Sequence, residues 1–126
     1  MINRHKITKD EYAALPFRRA EYLIMRYSEY IGNMTFVCEL TPDLISIVFG
    51  KSDFKYKGEY NCDCWGLDFN GEQFILISAN GRGTTIETLT EEKKIIEGFY
   101  DEILSMFSKI DNPRIKRLNQ LVQKMK

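Results

Sequence analysis

The stretch NCDCWGLDFNGEQFILISA, residues 61–79, decides the fold of this 126-residue chain because it has the pattern of a β-hairpin. Two runs rich in β-branched and aromatic residues flank Asn70-Gly71. A type I′ turn needs positive φ at both central positions, and asparagine and glycine tolerate that conformation best. The sequence therefore predicts two antiparallel strands whose register is fixed by the turn.

That register places apolar side chains on both faces of the hairpin. Trp65 faces Leu76 on one face, and Cys64 faces Ile77 on the other. An antiparallel sheet with one face in water usually shows a cleaner alternation of apolar and polar residues. We therefore expect both faces to be covered, by helices of this chain or, on the second face, by another copy of the chain in a homodimer.

Other segments with a strand-like composition lie on either side of the hairpin and are separated by turn residues. They are residues 34–40, 44–50, 54–60 and 84–88. Together with the hairpin they predict an antiparallel meander of five to six strands.

Helical signals precede the predicted sheet. Thr8 and Glu11 have the spacing of a capping box, which predicts a short helix that begins at Lys9. Pro16, a residue favoured in the first turn of a helix, predicts a second helix that ends near Ile31. Together they form a predicted N-terminal helical segment.

Two further helices are expected after the sheet. Thr90 is the predicted N-cap of a long helix that ends before residue 111, and a short basic helix is predicted from Pro113 to Lys126. The apolar stripe of the long helix consists of Ile95, Ile96, Phe99, Ile103, Phe107 and Ile110. The whole pattern predicts a single α+β domain over residues 1–126.

The composition, with 44% hydrophobic and 29% charged residues, is typical of a folded globular protein. No window has the length and apolarity of a membrane span, and the N-terminus lacks the pattern of a secretory leader. The three cysteines are odd in number, which argues against a disulfide framework. We expect a cytoplasmic protein with reduced thiols and no membrane contact.

The cysteine pair in the hairpin is the sharpest candidate for a chemical site. Cys62 and Cys64 point to the same face of a strand, so both could bind a metal ion, with Cys38 as a third ligand. Their spacing differs from that of a zinc knuckle, and buried cysteine commonly behaves as a small apolar residue. We therefore expect no metal site and no cofactor. A small cysteine- or metal-dependent enzyme, with His5 as a base, is the second alternative to the function proposed below.

The spacing of the carboxylates in the predicted sheet argues against a catalytic acid/base pair. Asp63 and Asp68 are five residues apart and point to opposite faces. Glu72 shares the face of Asp63 but lies about 20 Å away along the hairpin, and Glu59 lies about 13 Å from Asp63. The acids therefore suggest a charged surface rather than a catalytic centre, and we expect no enzymatic activity.

The charge distribution suggests what such a surface would bind. Acidic residues outnumber basic ones between residues 34 and 90. We expect a non-catalytic protein that binds a larger protein partner and occludes a charged surface on it, as an inhibitor of the immunity, anti-defence or anti-CRISPR-like type that a phage could encode. The predicted contact residues are Glu59, Asp63, Asp68 and Glu72.

The basic ends of the chain support the first alternative, a nucleic-acid-binding protein. Cations on the N- and C-terminal helices could follow a phosphate backbone. The basic surface in the last predicted helix consists of Arg114, Lys116, Arg117 and Lys124.

Overall fold

The computed structural model describes residues 1–19, 41–57, 61–79 and 83–109. Within these ranges the helices are α1 (Lys9–Ala14), α2 (Pro42–Phe49) and α3 (Lys93–Ser108). The strands are β1 (Ile2–Arg4), β2 (Arg18–Arg19), β3 (Phe54–Lys57), β4 (Asn61–Phe69), β5 (Glu72–Ala79) and β6 (Gly83–Thr88). The mixed helix and strand content predicted from the sequence is confirmed.

The strands form one antiparallel sheet in the order β1-β4-β5-β6-β2, with β3 also paired to β4. The run from β3 to β6 is a meander in which each strand pairs with the next. On the outer edge of β4, β3 lies beside residues 61–64 and β1 lies beside residues 67–69. Two short strands therefore share one edge and leave a gap between them at Trp65 and Gly66.

The central hairpin has the predicted register. Asn70 and Gly71 have φ values of 54° and 79°, as a type I′ turn requires. Trp65 pairs with Leu76, and Cys64 pairs with Ile77. Local turn chemistry therefore set the alignment of the two longest strands.

One face of the sheet, which we call the helix side, packs against α2 and α3. The rings of Phe74 and Phe99 stack with centroids 3.9 Å apart, and the indole Nε1 of Trp65 donates to the carbonyl oxygen of Gly50, 2.9 Å away, at the end of α2. Burial of each large apolar side chain contributes about 1.5–3 kcal/mol. The buried cluster consists of Ile2, Leu44, Ile45, Trp65, Leu67, Phe69, Phe74, Leu76, Ile86, Ile96, Phe99, Tyr100, Ile103 and Phe107.

The opposite face, which we call the second face, is crossed by residues 5–17, a segment we call the strap. The strap joins β1, on one edge of the sheet, to β2, on the other edge. Its Ile7 is buried against Cys64 and Ile75. Inside the strap, α1 begins with the predicted capping box: the Thr8 hydroxyl accepts from the Glu11 amide at 3.1 Å, and the Glu11 carboxylate accepts from the Thr8 amide at 3.1 Å.

The predicted strand at residues 44–50 is wrong, because these residues belong to α2. A short apolar run fits a buried strand and a buried helix equally well. The signals that decide between them precede the run: the Thr41 hydroxyl caps the amide of Leu44, and Pro42 occupies the first turn.

The predicted helix from Pro16 is wrong at its beginning. Arg18 and Arg19 are extended and pair with Thr88 and Glu87 of β6. Residues 20–31 of that predicted helix and the predicted strand at residues 34–40 lie outside the described residues.

The long helix was predicted at the right place but with the wrong cap. It begins at Lys93, and the Thr90 hydroxyl accepts from the Glu92 amide at 3.1 Å in the turn before it. The predicted stripe residues from Ile96 to Phe107 are buried, and Ile95 is half-buried. Ile110 and the predicted basic helix at residues 113–126 lie outside the described part of the chain.

None of the helices in the described ranges is long and apolar enough to cross a membrane.

Gly66→Ala should destabilise the fold by more than about 2 kcal/mol. A Cβ at this position would collide with the carbonyl oxygen of His5 and lie 2.8 Å from Cγ2 of Ile7. Urea unfolding followed by Trp65 fluorescence measures the change. Asn61→Ala, at an exposed position of the same strand, is the control and should change stability by less than about 0.5 kcal/mol. Equal stabilities of the two variants would contradict the close approach of the strap to Gly66.

Candidate functional site on the second face

The buried carboxylate of Asp53 fills the gap between β1 and β3. No part of its side chain is exposed. Its Oδ2 accepts from the amide of Gly66 at 2.7 Å and from the amide of Ile7 at 3.2 Å, and its Oδ1 forms an ion pair with Arg4. The same carboxylate therefore binds the edge of the sheet, the end of β1 and the strap.

Backbone contacts complete this junction. The amide of Asp53 donates to the Cys64 carbonyl at 2.7 Å, and the amide of His5 donates to the Gly66 carbonyl at 3.0 Å. The Arg4 guanidinium also donates to the Gly66 carbonyl at 2.8 Å. A buried polar group without a partner costs free energy. At the gap, where β4 has no neighbouring strand, these bonds give the backbone groups of β4 the partners that strand pairing would supply.

An apolar strip runs across the second face beside the strap. Cys64 and Ile75 are buried beneath Ile7, whereas Phe54 and Ile77 are half-buried next to them. The strap therefore covers the strip incompletely.

Three aromatic rings, which we call the aromatic trio, line the same region. Tyr12 of α1 stacks on Phe17 with centroids 5.6 Å apart, and it lies 5.6 Å from the ring of Phe54 in a tilted arrangement. All three residues are half-buried. The Tyr12 hydroxyl donates to Oε1 of Glu87 at 2.7 Å, which fixes the ring over β6.

Polar residues occupy the end of the second face nearest the Asn-Gly turn. Asn3, Asp68 and Gln73 lie side by side in the register of β1, β4 and β5. His5 Nε2 lies 2.6 Å from Nε2 of Gln73. Within the described residues, no hydrogen bond or ion pair involves the half-buried Asp68 carboxylate.

The structure does not bring the predicted acidic residues together on one face. Strand alternation puts Asp63 and Glu72 on the helix side and Asp68 on the second face. Asp63 is half-buried and accepts from the Ser52 hydroxyl at 3.0 Å. Glu59 and the predicted basic residues Arg114, Lys116, Arg117 and Lys124 lie outside the described residues.

Of the predicted thiols, two lie in the described part of the chain. Burial raises the pKa of the Cys64 thiol from 9.0 to about 12, with smaller contributions from the charges of neighbouring groups, Cys62 first. Burial also raises the pKa of Cys62, and the negative charge of Asp63 adds to the shift. Both thiols therefore stay protonated at neutral pH, which weakens them as nucleophiles. In the described ranges, no three His, Cys, Asp or Glu side chains are grouped so that they could hold a metal ion.

Sequence reasoning missed the Asp53 junction and the Tyr12–Glu87 hydrogen bond. Gly66, a single glycine inside a strand, was a usable signal, because such a glycine often marks the close approach of another backbone segment. Asp53 gave no local signal, since the amides that it binds are 13 and 46 residues away in the chain.

Comparisons with protein-family models, with curated proteins and with solved structures find no match to this chain.

The free energy of unfolding should fall as the pH rises above 9, because the native state keeps the Cys64 proton up to about pH 12 whereas an exposed thiol loses it near 9.0. Between these values the native state binds more protons, so its stability decreases by up to about 1.4 kcal/mol per pH unit. Urea unfolding across the alkaline range measures the slope. Cys64→Ala should start less stable and show a shallower slope; identical slopes would contradict the raised pKa.

Proposed function

We propose that this chain is a non-catalytic protein that binds a larger protein partner through the second face of its sheet. The observation that supports this most directly is the half-buried aromatic trio of Tyr12, Phe17 and Phe54 beside the apolar strip. Aromatic side chains are enriched in the cores of protein interfaces because they supply a large contact area and lose little conformational entropy. A partner could therefore bury rings that are already held in place.

Two carboxylates on the second face favour a basic partner surface. Asp68 lies on the same face, and no described residue neutralises its carboxylate. Glu87 also lies on this face, where its carboxylate accepts from Tyr12. Complementary charge accelerates association and favours the correct partner. The proposed role is that of an inhibitor that covers a basic surface, such as one that a nucleic-acid enzyme uses for its substrate, in the manner of immunity, anti-defence or anti-CRISPR-like proteins.

The nucleic-acid alternative is less well supported by the described cations. The Arg4 guanidinium is bound by the buried carboxylate of Asp53, and Arg18 pairs with Glu91 at 2.8 Å. The second of these pairs is exposed on both sides and is therefore weak. The Arg4 guanidinium also donates to the Gly66 carbonyl, so fewer of its N–H groups remain for a phosphate.

The enzyme alternative that uses a cysteine is also less well supported. The raised pKa of Cys64 keeps its sulfur in the thiol form, and its side chain is buried. A nucleophilic cysteine instead needs a lowered pKa and access to substrate.

Asp68→Lys should weaken partner binding by on the order of tenfold, because it reverses a charge on the proposed surface. Glu72→Lys is the matched control: it changes an acid at the same turn of the hairpin but on the helix side, and should leave affinity within about twofold. The partner is first recovered by affinity capture from the source cells, and its affinity for each variant is then measured by calorimetry.

Loss of binding in Glu72→Lys with full binding in Asp68→Lys would contradict the proposed surface. Light scattering of the isolated chain tests whether the partner is a second copy of it, which would double the mass. Retention on mixed-sequence DNA that weakens steeply with salt, and is lost in Arg114→Glu, Arg117→Glu and Lys124→Glu, would support the nucleic-acid alternative instead.

A further inference from the structure

The two faces of the sheet differ greatly in how much apolar surface holds them together. In the described part of the chain, the cluster on the helix side contains fourteen buried residues, whereas the cluster under the strap contains Ile7, Cys64 and Ile75. The helix α1 of the strap has no buried residue. Segments with few buried apolar contacts open locally at a lower free energy than the rest of a protein.

Polar contacts hold the strap closed in addition to the apolar packing of Ile7, Tyr12 and Phe17. Asp53 accepts from the Ile7 amide of the strap and pairs with Arg4, the residue of β1 just before the strap. Glu87 accepts from the Tyr12 hydroxyl further along the strap. Hydrogen bonds to a charged group are each worth about 1.5–3 kcal/mol. A carboxylate that belongs to the body of the protein therefore supplies a large share of the attachment.

We propose that the strap opens as a unit while the helix side stays folded, and that Asp53 is the latch that keeps it closed. Opening uncovers Cys64 and Ile75 and extends the half-exposed strip formed by Phe54 and Ile77. The opening is a property of the fold and does not depend on the proposed partner.

The protein carries two internal reporters for this motion. Cys64 lies directly beneath Ile7, so its thiol reacts only after the strap leaves. Trp65, the next residue, points to the helix side and donates to Gly50, so its fluorescence reports the core instead. Cys64 thus reports strap opening, and its neighbour Trp65 reports global unfolding.

The experiment uses the full-length chain with Cys38→Ser and Cys62→Ser, so that Cys64 is its only thiol. Its reaction with excess 5,5′-dithiobis(2-nitrobenzoate) is followed at urea concentrations below the Trp65 unfolding transition. Strap opening exposes less surface than global unfolding, so the reaction rate should depend weakly on urea. Asp53→Asn should accelerate the reaction by about tenfold or more, whereas Asp101→Asn, at an exposed position on α3, should leave the rate unchanged.

Tyr12→Phe keeps the inference testable if Asp53→Asn fails to fold. It removes the hydroxyl that binds Glu87 and should accelerate the reaction by about threefold at urea concentrations where the Trp65 fluorescence is still that of the folded protein. The inference is overturned if Cys64 reactivity and Trp65 fluorescence show the same urea dependence in every variant that folds, because the strap then leaves only when the whole protein unfolds.

Discussion

One buried carboxylate joins the edge of the sheet to the segment that crosses its second face. Asp53 lies where two short strands, β1 and β3, fail to cover the edge of β4 completely, and it supplies the acceptor that the Gly66 amide needs there. It also binds Ile7 and Arg4, so the first strand, the strap and the third strand meet at one side chain. An ion pair in such a place is costly to desolvate, and the accompanying hydrogen bonds to backbone amides offset that cost.

Gly66 is the counterpart of that carboxylate in the sheet. Only a residue without a side chain lets the His5 carbonyl and the Ile7 side chain lie so close to β4. The close approach of the strap to Gly66 lets Ile7 pack on Cys64 and Ile75. This packing excludes water from the Cys64 thiol. The chemistry of the cysteine is thus decided by packing on the strap rather than by a neighbouring base.

The parts of the fold that the sequence predicts well are those set by local chemistry. The Asn70-Gly71 turn and the Thr8–Glu11 capping box each need only adjacent residues, and both are present as expected. Residues 44–50 predict a strand by their β-branched and aromatic composition, but a short apolar run fits a buried helix equally well, and Thr41 and Pro42 signal a helix. In the candidate site, strand alternation correctly separates Asp63 from Asp68. The Asp53 junction could not be predicted, because it joins segments that only the folded sheet brings together.

The path of the strap has a consequence for self-association. A single continuous segment, residues 2–19, places β1 on one border of the sheet and β2 on the other. In the described part of the chain, its removal would expose unpaired backbone amides and carbonyls on β4 and β6 at the same time, and such exposed edges act as templates for strand pairing between molecules. The N-terminal segment therefore also protects the protein against edge-to-edge aggregation, a hazard that a form of this chain without residues 2–19 would face.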